Sequence, residues 1–354
     1  MYDFDTVVDR RNGDSIKWKV AENELPMWVA DMDFRTAPEI LDALKSRLDH
    51  GVFGYADVPD AWYNAYINWW GRRHHLKMEK ENLIFSAGVM PSIFSVIERL
   101  AAPGENIVIQ SPVYNNFYNC IENSDCNVVE NKLLYKNGAY AIDFTDLEQK
   151  LSNPQTTVMI LCNPHNPIGK IWSAEDLAKI GELAKKYNVT VISDEIHCDI
   201  TEPGKSYVPF AAASETCREV SVTCIAPTKT FNLAGLHTSA VYVASPTLRR
   251  KVRHALYTDK IAAPNSFATV AAIAAFEQGE PWLDLRISDD ANGHARNGLA
   301  AKNPAEYRRV NDGENDSSRR NALPVGSLQW TDPPCQKSWR CAKEPGMLLA
   351  RKCE

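Results

Sequence analysis

Nearly continuous runs of aliphatic and β-branched residues constrain the fold of this chain more than any other feature of its sequence. Four of them, each five or six residues long, occupy 106–110, 157–162, 189–193 and 220–225. A strand buried on both faces of a sheet shows this pattern, whereas a strand with one solvated face alternates between apolar and polar residues. Because parallel strands are joined by long crossovers, the spacing of the runs predicts right-handed βαβ units and a parallel sheet.

Helical patterns lie between and beside these predicted strands. Residues 173–187 place apolar side chains at helical spacing, and Ser173 with Asp176 forms a capping pattern at the start. A short strand at 84–86 leads into a Ser-Ala-Gly turn, and Pro91 then favours the first turn of a helix. The other helical patterns cover 38–48, 60–75 and 268–279.

The overall composition argues against several classes of protein. A formal charge of −6 and a pI near 5.8 are not those of a general nucleic-acid binder, which presents a basic face. No run of 18 apolar residues is present, so we expect no transmembrane helix. The N-terminal sequence MYDFDTVVDRR is acidic and has no apolar signal region. These features predict a protein without a membrane or nucleic-acid partner.

Cysteine and histidine residues do not form a metal-binding pattern. Nine cysteines without regular spacing are typical of reduced thiols in the cytoplasm. His74 and His75 are adjacent, so they cannot share one face of a helix, and we interpret both as surface residues rather than ligands. We therefore expect a cytoplasmic protein that binds no metal.

Chemistry-bearing residues follow the predicted strands. Tyr114, Asn166 and Lys229 come after the first, second and fourth runs, and Asp194 follows the third, with His197 one turn further on. Each has an ordinary structural explanation as a packed aromatic, a turn residue, a helix cap or a surface lysine. Ligands in open α/β sheets bind beyond the carboxyl ends of the strands. The arrival of all of these residues at that one edge therefore predicts a binding site.

Pyridoxal 5′-phosphate (PLP) is a cofactor that needs these partners. A lysine bonds its aldehyde, and a carboxylate keeps its ring nitrogen protonated so that the ring withdraws electrons. An aromatic side chain stacks on the ring, and an amide or imidazole binds its phenolic oxygen. The turn after 84–86 leads into a helix N-terminus, which suits a phosphate. The glycine-rich loops of dehydrogenases and kinases and the motifs of serine hydrolases and zinc proteases are absent from the sequence.

Seven motifs make the chain resemble the fold-type-I PLP enzymes, and specifically the MalY/PatB-type cystathionine β-lyases within aminotransferase class I/II. The resemblance runs from about Tyr2 to Arg286. It implies an α/β large domain whose mainly parallel seven-stranded sheet lies between helices. The motifs are LPMWVADMDF, HGVFGY, SAGVMPSI, SPVYNNFY, CNPHNPIGK, SDEIHCDI and APTKTFNLAGL.

The resemblance also implies a role for each matching residue. Lys229 would hold PLP covalently and later move a proton, while Asp194 would pair with the ring nitrogen and Tyr114 would stack on the ring. Asn166 and His197 would lie near the phenolic oxygen. The residues implied around the phosphate are Gly88, Val89, Met90 and Thr228, together with Tyr55 from the neighbouring subunit of a homodimer.

Two departures from the family pattern bear on the type of reaction. Ala226 stands where many relatives carry a phosphate-binding serine, and His237 stands where aminotransferases often carry a phosphate-binding arginine. Both departures argue against a standard aminotransferase. The resemblance implies β-elimination from L-cystathionine or a related sulfur amino acid, giving homocysteine or another thiol, pyruvate and ammonia, as in methionine biosynthesis. The alternatives are an aminotransferase, a regulatory PLP-binding protein and a catalytically impaired truncated product.

The ends of the chain differ from its centre. We expect 1–48 to contribute to a small domain. Its segment LPMWVADMDF would be extended and would pack against the rest of the chain, while Asp31 and Asp33 would be exposed to solvent. The large PLP-binding domain would cover 49–284. Residues 285–354 lose apolar periodicity, which predicts a poorly ordered tail in place of the rest of the small domain. The abrupt change is typical of a shifted reading frame, with a divergent tail as the alternative. We find no arginine there in a context that binds a substrate carboxylate.

Overall fold

The structure is a computed structural model that describes residues 2–6 and 8–291. Its helices are α1 (Pro38–Asp49), α2 (Asp60–Arg73), α3 (Val89–Leu100), α4 (Asn116–Asn123), α5 (Phe144–Leu151), α6 (Ala174–Lys186), α7 (Phe210–Ala213), α8 (Glu215–Val220), α9 (Pro246–Thr258), α10 (Ala268–Gln278) and α11 (Glu280–Ala291). Its strands are β1 (Leu83–Ser86), β2 (Asn106–Ile109), β3 (Asn127–Glu130), β4 (Leu134–Lys136), β5 (Ala139–Ala141), β6 (Thr156–Cys162), β7 (Thr190–Asp194), β8 (Ser221–Ile225) and β9 (Ser239–Tyr242). Short 3₁₀ turns occupy Lys80–Asn82 and Ala234–Leu236.

The strands predicted from the apolar runs are confirmed. β1, β2, β6, β7 and β8 each begin and end within one residue of the expected bounds. The predicted helix cap is also present, because the Ser173 hydroxyl accepts a hydrogen bond of 3.0 Å from the main-chain N–H of Asp176 at the start of α6. Continuous apolar runs and capping residues therefore located the central α/β units.

The central sheet has seven strands in the order β1-β9-β8-β7-β6-β2-β3. β8, β7, β6, β2 and β3 are parallel neighbours, and β9 runs antiparallel to both β1 and β8 beside it. A separate two-stranded hairpin is formed by β4 and β5. This mainly parallel seven-stranded sheet between helices is the architecture that the resemblance implied.

Apolar side chains of the parallel strands point alternately to the two faces of the sheet. In β2, Ile107 and Ile109 pack with side chains of α3, α4 and α9, whereas Val108 packs with side chains of α5 and α6 on the other face. Full burial of one such side chain contributes roughly 1.5–3 kcal/mol. Helices on both faces thus explain why apolar residues occupy both faces of these runs.

A cluster of aromatic side chains packs α2 and α10 against the loop that follows β8. The ring of Phe231, two residues after Lys229, lies 5.9 Å from the ring of Trp69 in α2 and 6.3 Å from that of Phe276 in α10. All three side chains are buried. The loop that carries the lysine is therefore fixed by a dense core. The other large aromatic residues of the cluster are Trp62, Tyr66, Trp70 and Trp282.

The N-terminal segment is anchored by buried ion pairs, so the interpretation of its aspartates as solvated is wrong. Asp33 is buried, and its carboxylate accepts hydrogen bonds from Lys17 at 2.7 Å, Arg10 at 2.8 Å and the Trp18 indole at 2.8 Å. Asp31 pairs with the same guanidinium of Arg10. The local sequence pattern does not reveal these partners, because they lie 15 to 23 residues away.

The last described element crosses the start of the expected tail. α11 continues from Glu280 to Ala291, and the remaining tail residues, 292–354, lie outside the described residues. Among the helices that the structure describes, none combines the length and apolar character required to span a bilayer.

Candidate active site

The carboxyl ends of the parallel strands bring the expected site residues to one edge of the sheet. Cross-strand register aligns Cys162 of β6, Asp194 of β7 and Cys224 of β8 in one row. Lys229 follows this row after β8 and acts electrostatically on both Asp194 and His197. Electrostatic effects of this kind are appreciable only between charges that lie near each other, so the loops after β7 and β8 converge.

Lys229 is partly buried. Burial lowers the pKa of its ammonium group, and the negative charges of Asp31 and Asp194 oppose that effect without cancelling it. The turn that holds the lysine is closed by two main-chain hydrogen bonds, from Phe231 to Pro227 at 2.9 Å and from Leu233 to Thr228 at 2.8 Å. A lysine with a lowered pKa offers more of the neutral amine that bonds carbonyl groups.

Asp194 is the last residue of β7 and is buried. Burial raises the pKa of its carboxyl to about 6, although a main-chain hydrogen bond from Ile196 (3.1 Å) and the charge of Lys229 both favour the ionised form. A carboxylate that is this poorly solvated is stabilised when a cation lies against it. The site therefore suits a ligand with a positively charged group.

His197 faces the same region with one ring nitrogen unsatisfied. Its Nδ1 is buried and has no hydrogen-bond partner among the described residues. Burial and, to a smaller extent, the nearby charge of Lys229 together lower the pKa of the imidazole to about 4. The ring is consequently neutral near pH 7, and a buried polar atom of this kind calls for a ligand or a water molecule.

Tyr114 lies on the loop between β2 and α4. Its hydroxyl accepts a hydrogen bond of 2.6 Å from the side-chain amide of Asn116, and its ring meets the ring of Phe117 edge-on at 5.8 Å. Burial raises the pKa of the Tyr114 phenol, and the charge of Asp194 also raises it. Tyr114 and Asp194 are thus neighbours, which places an aromatic side chain near the buried carboxylate.

Asn166 belongs to the loop after β6, four residues beyond Cys162. Its main-chain N–H donates to the sulfur of Cys162 at 3.3 Å, and Cys162 lies in register with Asp194. The loop therefore lies at the same sheet edge. Its contacts within the described residues link it to β6 and not directly to Lys229.

The N-terminus of α3 forms an anion-binding geometry next to β1. Gly88 is its N-cap, and no side chain caps the helix. A Cβ atom at Gly88 would lie 3.1 Å from Cδ of Pro91, so the backbone turns tightly here. The first N–H groups of a helix have no partner within it, and those of Val89 and Met90 are available to a phosphate. Thr228, which precedes the lysine, is buried.

Three further positions named by the sequence have contrasting environments. Tyr55 is fully exposed, at 112% of its reference area, on the loop between α1 and α2. Ala226 is buried at the end of β8, whereas His237 is exposed and adopts a positive φ of 51°. Tyr55 therefore does not contribute to this site within one subunit.

Comparisons with known proteins decide the family. Residues 21–284 match the family described as aminotransferase class I and II. The chain is 46% identical to cystathionine beta-lyase PatB of Bacillus subtilis over 291 residues, which cover 80% of this chain and 75% of the relative. It is 33% identical to protein MalY of Escherichia coli over 296 residues, or 81% and 75% of the two chains. The chain belongs to the MalY/PatB-type branch of the class I and II aminotransferase family.

Solved structures similar to this MalY/PatB-type chain support the same assignment. Cystalysin from Treponema denticola, which contains a PLP cofactor, aligns with a TM-score of 0.78 and 31% identity over 81% of this chain and 75% of its own. The PLP-bound C-S lyase of Staphylococcus hominis, complexed with L-cycloserine, aligns with a TM-score of 0.77 and 31% identity over 83% and 78% of the two chains. The resemblance drawn from the motifs is thereby confirmed.

The sequence did not reveal the environments of two residues near the site of this MalY/PatB-type chain. Asp31 in the motif LPMWVADMDF acts on Lys229, although nearly 200 residues separate them. His74, interpreted as a surface residue, has a buried side chain that binds Asp199 at 2.8 Å, so that interpretation is wrong; His75 is exposed as expected. The acidic residues within the motifs were the only available indication, because adjacency of two histidines does not reveal which one turns inward.

Proposed function

We propose that this chain is a PLP-dependent carbon–sulfur β-lyase that cleaves L-cystathionine or a related substrate to a thiol, pyruvate and ammonia. The observation that carries the proposal is the coupling of partly buried Lys229 with buried Asp194 at the carboxyl edge of the sheet. The family contains aminotransferases and lyases, and the relatives PatB and the Staphylococcus hominis enzyme are named as lyases.

The residues at the site fit the functional groups of PLP. Asp194 offers a buried carboxylate to the protonated ring nitrogen, and the neutral, unsatisfied Nδ1 of His197 suits a hydrogen bond near the phenolic oxygen. Asn166 would bind the same oxygen. Tyr114 offers its ring as a stacking surface. The uncapped start of α3, formed by Gly88, Val89 and Met90, offers N–H groups to the phosphate next to Thr228. Lys229 provides the amine for the covalent link.

Lys229 would perform the proton transfers of the reaction. When bound, PLP supplies an electron sink for negative charge that develops at the substrate Cα. The Lys229 side chain, once free, would remove the Cα proton, because its lowered pKa favours the neutral amine. The C–S bond at Cβ then breaks with its electron pair on sulfur, and the resulting enamine hydrolyses to pyruvate and ammonia. Asp194 keeps a negative charge opposite the ring nitrogen throughout.

We further propose a homodimer in which Tyr55 reaches the phosphate of the neighbouring subunit. Tyr55 is fully exposed, and the apolar side chains of Val52 and Phe53 on the same loop are more than half exposed, which suits a subunit contact. Mixing subunits that carry Tyr55→Ala or Lys229→Ala tests this arrangement. A shared site predicts recovery of about a quarter of the wild-type activity after reassociation, since half of the dimers regain one intact site. No recovery would argue for sites contained within one subunit.

Location and domain division belong to the same proposal. Six cysteines in the described part of the chain are free thiols, which suits the reducing cytoplasm. We assign 49–284 to the large domain that holds PLP and 1–48 to the small domain. The tail 285–354 would replace the rest of the small domain.

Product analysis with L-cystathionine and PLP tests the function. We expect pyruvate and thiol to form without any added 2-keto acid, and both to vanish in Lys229→Ala. Lys251→Ala, which removes an exposed lysine from α9, is the matched control and should react like wild type. Turnover that requires a 2-keto acid acceptor would identify an aminotransferase instead. PLP bound at Lys229 without any product would mean that the chain is a binding protein or an impaired enzyme.

A further inference from the structure

The carboxylate of Asp199 is fully buried between the loops that follow β7 and β8. Both side-chain oxygens of Asp199 are engaged: Oδ1 accepts hydrogen bonds from Trp69 Nε1 at 3.0 Å and from His74 Nε2 at 2.8 Å, and Oδ2 accepts one from the Thr230 hydroxyl at 3.2 Å. The side chain of Asp199 has no exposed surface. Three donors, two at the end of α2 and one on the loop after β8, therefore converge on one carboxylate.

The position of Asp199 links two segments that face the cofactor site. Asp199 lies in the loop after β7, five residues beyond Asp194 and two beyond His197, and Thr230 directly follows Lys229. The hydrogen bond between Thr230 and Asp199 is thus a side-chain link between the loop after β7 and the loop after β8. Displacement of either partner would change how the lysine is set against the carboxylate that pairs with the ring nitrogen.

The carboxylate of Asp199 is held in its ionised form. Burial raises its pKa, but the hydrogen bond and charge of His74, the charge of Arg73 and the indole of Trp69 outweigh burial and leave the pKa lowered. Arg73 lies 3.9 Å away and also pairs with Glu280 of α11 at 2.7 Å. Burying a charge is costly unless it is fully hydrogen-bonded. A simple core contact would not require an ionised group.

A second buried carboxylate on the same loop provides a contrast. Glu195 accepts hydrogen bonds from the Ser193 hydroxyl at 2.7 Å and the main chain of Phe210 at 2.9 Å, and it also bonds the Tyr207 hydroxyl. Burial raises the pKa of Glu195 to about 7. None of these partners adjoins Lys229 in sequence. Glu195 is as buried as Asp199, but its hydrogen bonds go to β7 and to the segment 207–210 and not to the loop that carries Lys229.

A metal ion is a weaker explanation of the same cluster. The donor atoms of His74, Cys198 and Asp199 lie within 4.8 Å of one another, as in some metal sites. The two oxygens of Asp199, however, already accept three hydrogen bonds, and a metal would have to displace them. The hydrogen bonds account for the cluster without an ion.

We propose that Asp199 is a positioning residue that, through Thr230, sets the orientation of Lys229 towards the cofactor. The proposal rests on the proposed function, because it concerns how Lys229 holds PLP. His74 and Trp69 hold the carboxylate in place, so that Asp199 acts on the lysine loop from a rigid base formed by α2. Asp199 itself touches neither the cofactor nor the substrate in this arrangement.

Visible circular dichroism of the PLP-loaded enzyme tests the proposal, because this signal reports the orientation of the lysine-bound cofactor. Thr230→Val keeps the shape of the side chain and removes the hydroxyl, whereas Thr230→Ser keeps the hydroxyl. We expect Thr230→Val to lose at least half of the dichroism signal and to bind PLP roughly tenfold more weakly. Thr230→Ser should keep the wild-type signal and the wild-type PLP affinity. Asp199→Asn should resemble Thr230→Val, and Glu195→Gln should lower thermal stability but leave the signal unchanged.

The outcomes separate this proposal from the proposed function. A folded Thr230→Val or Asp199→Asn variant with wild-type dichroism and PLP affinity would overturn the positioning role. An equal loss of signal in Glu195→Gln would also overturn it, because it would show that any buried carboxylate on the loop has the same effect. If the wild-type chain forms no PLP–lysine link, the proposed function fails first, and the positioning role fails with it.

Discussion

Asn232 and Met32 are joined by a pair of reciprocal hydrogen bonds across 200 residues of sequence. The main-chain N–H of Met32 donates to Oδ1 of Asn232 at 3.0 Å, and Nδ2 of Asn232 donates back to the main-chain oxygen of Met32 at 3.1 Å. The same amide also donates to Phe34 at 3.1 Å. One side chain thus binds the N-terminal segment to the loop that carries Lys229, and it explains how Asp31 comes close to the lysine.

Replacing Asn232 by Asp should detach this segment. The variant keeps the size of the side chain but directs a carboxylate oxygen at two main-chain oxygens, so we expect the free energy of unfolding to fall by about 2 kcal/mol. Asn188→Asp is the control, because both residues have a φ of 58° while Asn188 is exposed. Urea denaturation of both variants checks the difference. Equal stability of the two would contradict the role of Asn232.

Removing the charge of Asp31 should accelerate formation of the PLP–lysine link. Asp31 raises the pKa of Lys229, so Asp31→Asn leaves burial to lower that pKa further and increases the neutral fraction of the amine near pH 7. We expect the cofactor to react with the apo-protein roughly threefold to tenfold faster. Stopped-flow absorbance at fixed pH measures this rate. Asp42→Asn, which removes the same charge from an exposed pair with Lys45, should have no effect, and a slower Asp31→Asn reaction would refute the prediction.

The buried carboxyl of Asp194 should make the apo-protein less stable as the pH rises. Its folded pKa of about 6 exceeds the ordinary value of 3.8, so the folded chain binds the proton more tightly and loses stability as the pH rises through that window. In apo-protein near pH 7, Asp194→Asn should therefore be more stable than wild type by about 3 kcal/mol, with roughly half of that gain at about pH 5.

Urea denaturation of the apo-proteins at the two pH values measures the Asp194 effect. Asp259→Asn, at an exposed carboxylate, serves as the control and should show no such pH-dependent gain. A destabilised Asp194→Asn variant at neutral pH would contradict the account. The same variant should bind PLP more weakly, because it lacks the charge that pairs with the ring nitrogen.

Adding a methyl group at Gly88 should weaken cofactor binding more than it weakens the fold. The new Cβ would meet Pro91 at 3.1 Å, so the first turn of α3 must shift by a few tenths of an ångström. We expect PLP affinity to fall about tenfold while apo-protein stability falls by less than about 1 kcal/mol. Gly71→Ala in α2, where the added Cβ meets nothing within 4 Å, should instead raise stability by about 0.5–1 kcal/mol. Titration with PLP and thermal unfolding distinguish the two, and unchanged affinity in Gly88→Ala would remove α3 from the phosphate site.

The central sheet could be predicted from sequence because burial on both faces leaves a local pattern. In β6, every residue from Val158 to Cys162 is apolar and buried, and no polar residue interrupts the run. Loops after such strands share one edge by topology, so Tyr114, Asn166, Asp194 and Lys229 could be grouped without coordinates. β9, by contrast, was not identified, because its residues Ser239 to Tyr242 do not form a run of aliphatic residues.

Contacts that depend on distant partners could not be predicted in the same way. Asp33 is solvated in any local interpretation, and only the folded chain brings Lys17 and Trp18 to its carboxylate. His74 looks equivalent to His75 in sequence, but the end of α2 turns one ring towards Asp199 and leaves the other in solvent. Electrostatic neighbours of this kind arise from tertiary packing, which has no periodicity along the chain.

The most direct test of the account is to locate the covalent link between PLP and the protein. The purified chain is incubated with PLP, reduced with borohydride and digested, and the modified peptide is identified by mass spectrometry. The account predicts one stoichiometric pyridoxyl group on Lys229 that disappears in Lys229→Ala. A label spread over exposed lysines, or a label that persists in Lys229→Ala, would contradict it.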